Sequence, residues 1–346
     1  MKRLFLFNLG FFLYCGLLCA QTSLIASLKH GDEISVYYGE KALQMAHDAA
    51  VDGDVITLSS GTFSAVYFNK GVTIRGAGME ANPEKGTEAT IVRTTYGLPQ
   101  IGSEIDKASH KLTFEGVFFP QRLQIGDCSN LDIIKCRFPG LDQRYGVVHR
   151  IGLIGCKITD DFVCTANSNI TCVNCIIRNP SCQNNTAKMQ FLNSMVWFNG
   201  ARYGVHSSNY SYATPGNHLY STFENCIIYS TTSAFSNTAN VIGCLSNLSY
   251  IFDNIEDSTN HVVSDLAELF VTFRGDWSNT ETFELTDSAK ARYFGNDSTE
   301  VGIYGGLAPY DPTPTNPQIT KCNVASKATV DGKLSVDIEV VGLKEE

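Results

Sequence analysis

The chain has 346 residues, 43% hydrophobic and 18% charged, with 29 glycines, 12 cysteines and a formal net charge of −9. The apolar content is too high for a disordered chain, and the acidic balance argues against nucleic acid or an anionic membrane as partner. Nothing in the composition suggests a second large domain beside one elongated unit.

Residues 1–20 read as a secretory leader, with Lys2 and Arg3, an apolar run over 4–18, then Ala20 before Gln21. Gly16-Leu17-Leu18-Cys19 lacks the small residue expected before a lipidated cysteine. No later stretch approaches the ~18 apolar residues that span a bilayer. The expectation is an exported chain with no transmembrane segment in its mature form, placed outside the cell, on its surface or in the periplasm.

After the leader, residues 41–51 (KALQMAHDAAV) have the spacing of a short amphipathic helix, with Ala42, Met45, Ala46, Ala49 and Ala50 inward. Asp52-Gly53-Asp54 ends it, and a first strand starts at Val55. Gly53-Asp54-Val55-Ile56, Gly61-Thr62-Phe63 and the run VTIRGAG over 72–78 follow. In these motifs the chain resembles the pectin-lyase-like β-helix superfamily. The resemblance implies an architecture and no particular chemistry, because that fold hosts lyases, hydrolases, esterases and non-enzymatic adhesins.

The middle of the chain repeats one unit about every 19 residues. Aligned on Val117, Cys136, Cys156, Cys175, Ser194, Cys226 and Cys244, the unit has Gly116, Lys135, Gly155, Asn174, Asn193, Asn225 and Gly243 just before the anchor. Gly and Asn tolerate the positive φ of a tight bend. Three residues before each anchor stands Phe114, Ile133, Leu153, Cys172, Phe191, Phe223 or Val241, all apolar. An earlier Val72, Ile74 and Gly76 keep the same frame, placing Ala77 two units before Val117 with an intervening strand near residues 90–95. Strand, bend and strand at a fixed period make a solenoid in which each unit buries its face on its neighbours. The fold class is all-β: a right-handed parallel β-helix solenoid with an N-terminal capping helix and a small C-terminal β-hairpin. The anchor cysteines read as stacked, buried free thiols, since in-register side chains about 4.8 Å apart run parallel and do not face each other. Cys172-x-x-Cys175 has no second pair at zinc-ligand spacing.

Three groups of outward residues carry candidate chemistry. Arg137 and Lys157 share one slot, Arg178 follows on the next unit, and Asp142, Asp160 and Asp161 lie a few residues further along. In a polysaccharide lyase carboxylates hold Ca²⁺ against a uronate while Arg or Lys removes the α-proton, so these are the catalytic and metal candidates. Otherwise no cofactor is implied. The stretch around Asp160-Asp161 resembles the double-aspartate region of polygalacturonases, whose acids serve inverting hydrolysis. The remaining motifs of that family are absent, and its activity is not carried over. The step from Ser194 to Cys226 is about 13 residues longer than a normal unit and holds Trp197, Arg202, Tyr203, Tyr210 and Tyr212, the substrate-binding candidates for sugar rings.

At the C-terminal end, Phe294-Gly295-Asn296-Asp297-Ser298-Thr299-Glu300-Val301-Gly302-Ile303-Tyr304-Gly305-Gly306 leads into a proline-rich run over 309–317. This end resembles secreted bacterial β-helix proteins of uncharacterised function. Prolines stiffen the run and cannot continue a ladder. Asp331-Gly332 then separates two strand-like runs, with Leu334, Val336, Ile338 and Val340 alternating with polar residues as a terminal hairpin that serves as cap, partner-binding edge or anchor stub. The expected organisation is 1–20 leader, 21–306 β-helix with its cap, and 307–346 linker and hairpin. Three function classes fit: a secreted or surface β-helix protein contacting a polysaccharide or cell-surface glycan without catalysis, a uronate polysaccharide lyase, and a structural assembly module. The first is preferred.

Overall fold

The computed structural model describes residues 24–82, 87–126, 128–143, 150–164, 169–182, 188–198, 221–231, 240–248, 259–313, 318–324, 327, 331–333 and 335–341. The leader lies outside them. The described residues form an all-β protein with long parallel sheets, an arrangement compatible with a β-helix. Its backbone is an eleven-stranded sheet running in order Glu33–Tyr38, Ile25–His30, Val55–Leu58, Thr73–Arg75, Leu112–Glu115, Leu131–Ile134, Arg150–Ile154, Asn169–Val173, Lys188–Leu192, Thr222–Glu224 and Asn240–Ile242. Ile25–His30 pairs antiparallel with both of its neighbours, and every later pair is parallel.

The register brings Ile56, Ile74, Phe114, Ile133, Leu153, Cys172, Phe191, Phe223 and Val241 into one file across nine strands. All are buried. The chain then bends at positive φ (Lys135 48°, Asn174 50°, Asn193 43°, Asn225 55°) and enters a seven-stranded parallel sheet beginning Arg137–Phe138, Lys157–Ile158, Ile176–Arg178 and Met195–Phe198. At each bend the anchors interlock. The amide of Cys156 contacts the Cys175 sulfur at 3.4 Å, the Cys175 amide donates to Ser194 Oγ at 3.1 Å, and the Cys226 amide contacts the Cys244 sulfur at 3.3 Å. Seven described cysteines are free and buried, and burial pushes the Cys136, Cys156, Cys175 and Cys244 thiols well above the ordinary thiol range.

The interval between Ala77 and Val117 differs from the two units expected. Thr73–Arg75 pairs directly with Leu112–Glu115, so the whole interval is one enlarged unit. Its strand Thr90–Arg93 pairs with Gly61–Ser64 instead, and its Gln100–Ile101 joins a four-stranded sheet with Tyr67–Phe68, Leu123–Ile125 and Leu141–Gln143.

The helix spans Ala42–Ala49, two residues shorter at its C-terminal end than expected. Its buried side is Ala42, Leu43, Ala46 and His47, while Met45 and Ala49 face outward. Leu43 and His47 turn the inward stripe away from the expected one, and the His47 and Phe68 rings meet edge to face with centroids 6.0 Å apart. Lys70 closes the helix, donating from Nζ to the carbonyls of His47, Asp48 and Ala50 at 2.6–2.9 Å. At the far end Gln318–Val324 and Val336–Val341 pair antiparallel.

Candidate functional site

The basic slot forms as a file, and a second layer covers it. Arg137 pairs in register with Lys157, and the same file continues through Ile176, Met195, Ile227 and Leu245. The last four belong to a second apolar core with Trp197, Leu266, Phe270, Phe273, Phe283, Leu285, Val301 and Ile303. Residues 263–304 therefore lie on the outer face of the seven-stranded sheet. Both faces of that sheet are buried, which is why its strands read as near-continuous apolar runs.

A strap over residues 293–313 holds this layer down, and the bend residues grip it. Asn225 Oδ1 accepts from the Asn296 amide at 2.8 Å, and Asn193 Nδ2 reaches Asp297 at 3.5 Å. Asn174 Nδ2 donates to the carbonyls of Ile303 and Gly305, both at 2.8 Å. Lys135 Nζ donates to the Thr313 carbonyl at 2.7 Å and lies 3.6 Å from Asp311. The strap thus runs from late repeats back towards early ones. Its glycines fit this contact. A Cβ on Gly295 would stand 2.5 Å from Asn225 Cγ, and Gly302 combines a φ of +90° with a Cβ position 2.6 Å from Ile227 Cδ1.

Under this cover Lys157 is 3% exposed. Its Nζ donates to the Glu281 carbonyl at 3.1 Å and lies 3.6 Å from Glu80 Oε1, which is also 3.7 Å from Arg137. Burial pulls the Lys157 ammonium below the usual lysine range, against the opposing pull of Glu80. Arg137 lies over the Phe118 ring at 4.8 Å. Arg178 sits two positions along its strand from the Arg137–Lys157 file, aligned with Trp197. It lies 5.7 Å from the Trp197 ring and 6.0 Å from the Trp277 ring.

The acidic candidates separate. Asp160 stands 3.8 Å from both Arg122 and Arg178, and Asp161 Oδ1 accepts from Asn179 Nδ2 at 2.7 Å. Asp142 lies on the four-stranded sheet. Among the described residues no group of three His, Cys, Asp or Glu side chains is placed to hold a metal ion. Trp197 is buried, donates its indole N–H to the Gly275 carbonyl at 3.2 Å, and packs 5.5 Å from Trp277. It offers no free ring face to a sugar. Arg202, Tyr203, Tyr210 and Tyr212 lie outside the described residues.

A different file runs along the four-stranded sheet, exposed at Tyr67 and Gln100, half-buried at Asp142 and buried at Gln124. Register aligns Tyr67, Gln100, Gln124 and Asp142 across the four-stranded sheet, while Phe68, Ile101, Leu123, Ile125 and Leu141 point into the core. Tyr67 is 46% exposed and donates to Glu104 at 2.8 Å, a bond that raises its phenol above the ordinary tyrosine range. Gln100 is exposed and donates from Nε2 to Gln124 Oε1 at 3.0 Å. Arg122 borders the file, donating to the carbonyls of Leu141 and Asp161 at 3.2 and 2.9 Å. Reasoning from the cysteine period misses Tyr67, Gln100 and Gln124 and reaches Asp142 only as a metal candidate, since the strands carrying them are short and unevenly spaced. The available signal is the alternation of one polar outward residue with apolar inward ones in YF, QI, LQI and LDQ. No family model, curated protein or solved structure matches the chain.

Proposed function

We propose that this chain is an exported right-handed parallel β-helix, capped by its N-terminal helix, that contacts glycans along the Tyr67–Gln100–Gln124–Asp142 face without cleaving them. The observation that carries this reading is the in-register alignment of an exposed phenol, two amides and a carboxylate on successive parallel strands. Strand spacing sets such groups about 4.8 Å apart in a straight line. An extended polysaccharide crossing the strands would meet the exposed Tyr67 and Gln100, with the buried Gln124 accepting from the Gln100 amide behind them and Tyr67 supplying a flat face at one end. The elimination reading requires a basic residue free to reach a substrate proton. Lys157 is covered and engaged with Glu281 and Glu80, so binding without elimination is preferred.

The test is a glycan-array screen followed by titration of the best ligand against the parent protein, Tyr67→Ala and Gln100→Ala, beside an assay for unsaturated uronate release. Each substitution should weaken binding about tenfold, roughly 1.4 kcal/mol, with no change in thermal midpoint and no uronate released. Uronate release that Lys157→Ala abolishes would reverse the assignment in favour of a lyase. Equal affinity in all three proteins would remove the four-residue face from it.

A further inference from the structure

Two cations stand side by side on the seven-stranded sheet, with a carboxylate oxygen near both and hydrogen-bonded to neither. Arg137 and Lys157 are register partners on adjacent parallel strands, about 4.8 Å apart, and like charges in that relation repel. Glu80 Oε1 lies 3.7 Å from Arg137 and 3.6 Å from Lys157, beyond hydrogen-bond length on both sides. Glu80 Oε1 and Arg137 Nε are both buried without a hydrogen-bond partner. The Lys157 ammonium carries three donors, and the Glu281 carbonyl takes one of them at 3.1 Å. The Glu281 carboxylate is engaged elsewhere, accepting from Thr272 and from the amides of Thr282 and Phe283. Donors therefore outnumber acceptors here, and two cations face one carboxylate.

The surroundings make this imbalance matter. Lys157 is buried, the Phe118 ring closes one side of the Arg137 guanidinium, and apolar Ile176 continues the file beyond Lys157. Charge in such a place is destabilising unless it is matched and hydrogen-bonded. A second triangle gives the contrast. Asp160 stands 3.8 Å from both Arg122 and Arg178, with the same two-to-one charge. Its side chain is 54% exposed and those of both arginines are more than a quarter exposed, so water supplies the remaining acceptors there. At Lys157 protein covers the ammonium.

We propose that Arg137 and Lys157 bind a small monovalent anion of the halide class, such as chloride, beside Glu80. One further negative charge balances the triangle and gives the ammonium and the guanidinium a common acceptor. A halide suits the place because it carries a single charge, needs little room and accepts from any direction, whereas a dianion would overshoot the charge. Because Lys157 also holds the Glu281 carbonyl, the ion stabilises the contact between sheet and roof. The proposal is independent of the glycan face, which lies on another sheet.

The experiment compares thermal unfolding of the full mature chain in sodium chloride and in sodium gluconate at equal ionic strength, and locates bromide in crystals by its anomalous scattering. Chloride should raise the thermal midpoint by roughly 2–4 °C and then saturate, and gluconate should not. Bromide should appear beside Lys157 Nζ and the Arg137 guanidinium. Lys157→Met should abolish the chloride-specific rise. Glu80→Gln separates a bound ion from a plain salt-bridge network. With the repelling carboxylate neutralised, chloride should bind about tenfold tighter, whereas a network without an ion would lose stability equally in both salts. Equal midpoints in the two salts, a rise that Lys157→Met retains, a Glu80→Gln protein that chloride fails to stabilise, or bromide absent from the triangle overturns the proposal.

Discussion

Two outward files on this molecule differ in what lies over them. The Arg137–Lys157 file has the residue types of a basic catalytic site, yet it continues into Ile176, Met195, Ile227 and Leu245, and residues 263–304 roof it from Lys157 onward. The Tyr67–Gln100–Gln124–Asp142 file has milder residue types and reaches solvent at Tyr67 and Gln100, while Gln124 is buried. Position within a repeat says which way a side chain leaves its strand. Whether solvent or protein meets it there depends on chain far away in sequence.

The largest expected effect falls on the roof itself. Phe273 is buried and meets Phe270, Phe283 and Tyr229 with ring centroids at 5.0–5.1 Å. Phe273→Ala should cost about 3–5 kcal/mol of stability where the roof and the sheet unfold together. Limited proteolysis should then cut within 263–304 before any cut in the eleven-stranded sheet. A protease pattern unchanged from the parent would mean that the roof does not depend on this core.

A smaller effect tests the cover at the other end, the helix Ala42–Ala49. Burial, reinforced by Lys70, lowers the His47 pKa from 6.5 to about 4. Above pH 6.5 the imidazole is neutral in both states and pH has no leverage through it. Between 6.5 and 4 the unfolded chain takes up a proton that the folded one refuses, so stability falls as pH falls, by at most on the order of 3 kcal/mol. Urea midpoints measured across that window should decline in the parent protein. His47→Leu should flatten this part of the decline while keeping the helix, and an identical slope in both proteins would contradict the buried neutral imidazole.

Much of the fold was legible because its signals are local and periodic. The residue before each anchor, Gly or Asn everywhere but Lys135, marks a bend, and the apolar residue three before the anchor marks the core file; both lie where the repeat puts them. The period was misleading at Ala77–Val117, where a whole number of unit lengths is one enlarged unit. The helix stripe was misjudged by one step, since Met45 suits a core yet Leu43 and His47 are the side chains the neighbouring strands receive. The roof left a readable trace that period counting passed over: an apolar residue directly after the anchor at Ile176, Met195, Ile227 and Leu245 means a strand buried on both faces. Asn174, Asn193 and Asn225 were legible as bends. Their grip on the strap was not, because a hydrogen bond spanning 70 to 130 residues has no local pattern.

The central claim is that the basic file is covered, and amine labelling with peptide mass spectrometry tests it most directly. Lys157 is 3% exposed, held between the Glu281 carbonyl and Glu80, whereas the Lys111 side chain is 56% exposed and pairs with Asp132 at the surface. In the folded protein an acylating reagent should modify Lys111 and leave Lys157 untouched, and in denaturant it should modify both. Labelling of Lys157 at the rate of Lys111 in the folded protein would contradict the account and return Arg137 and Lys157 to candidacy as an open basic site.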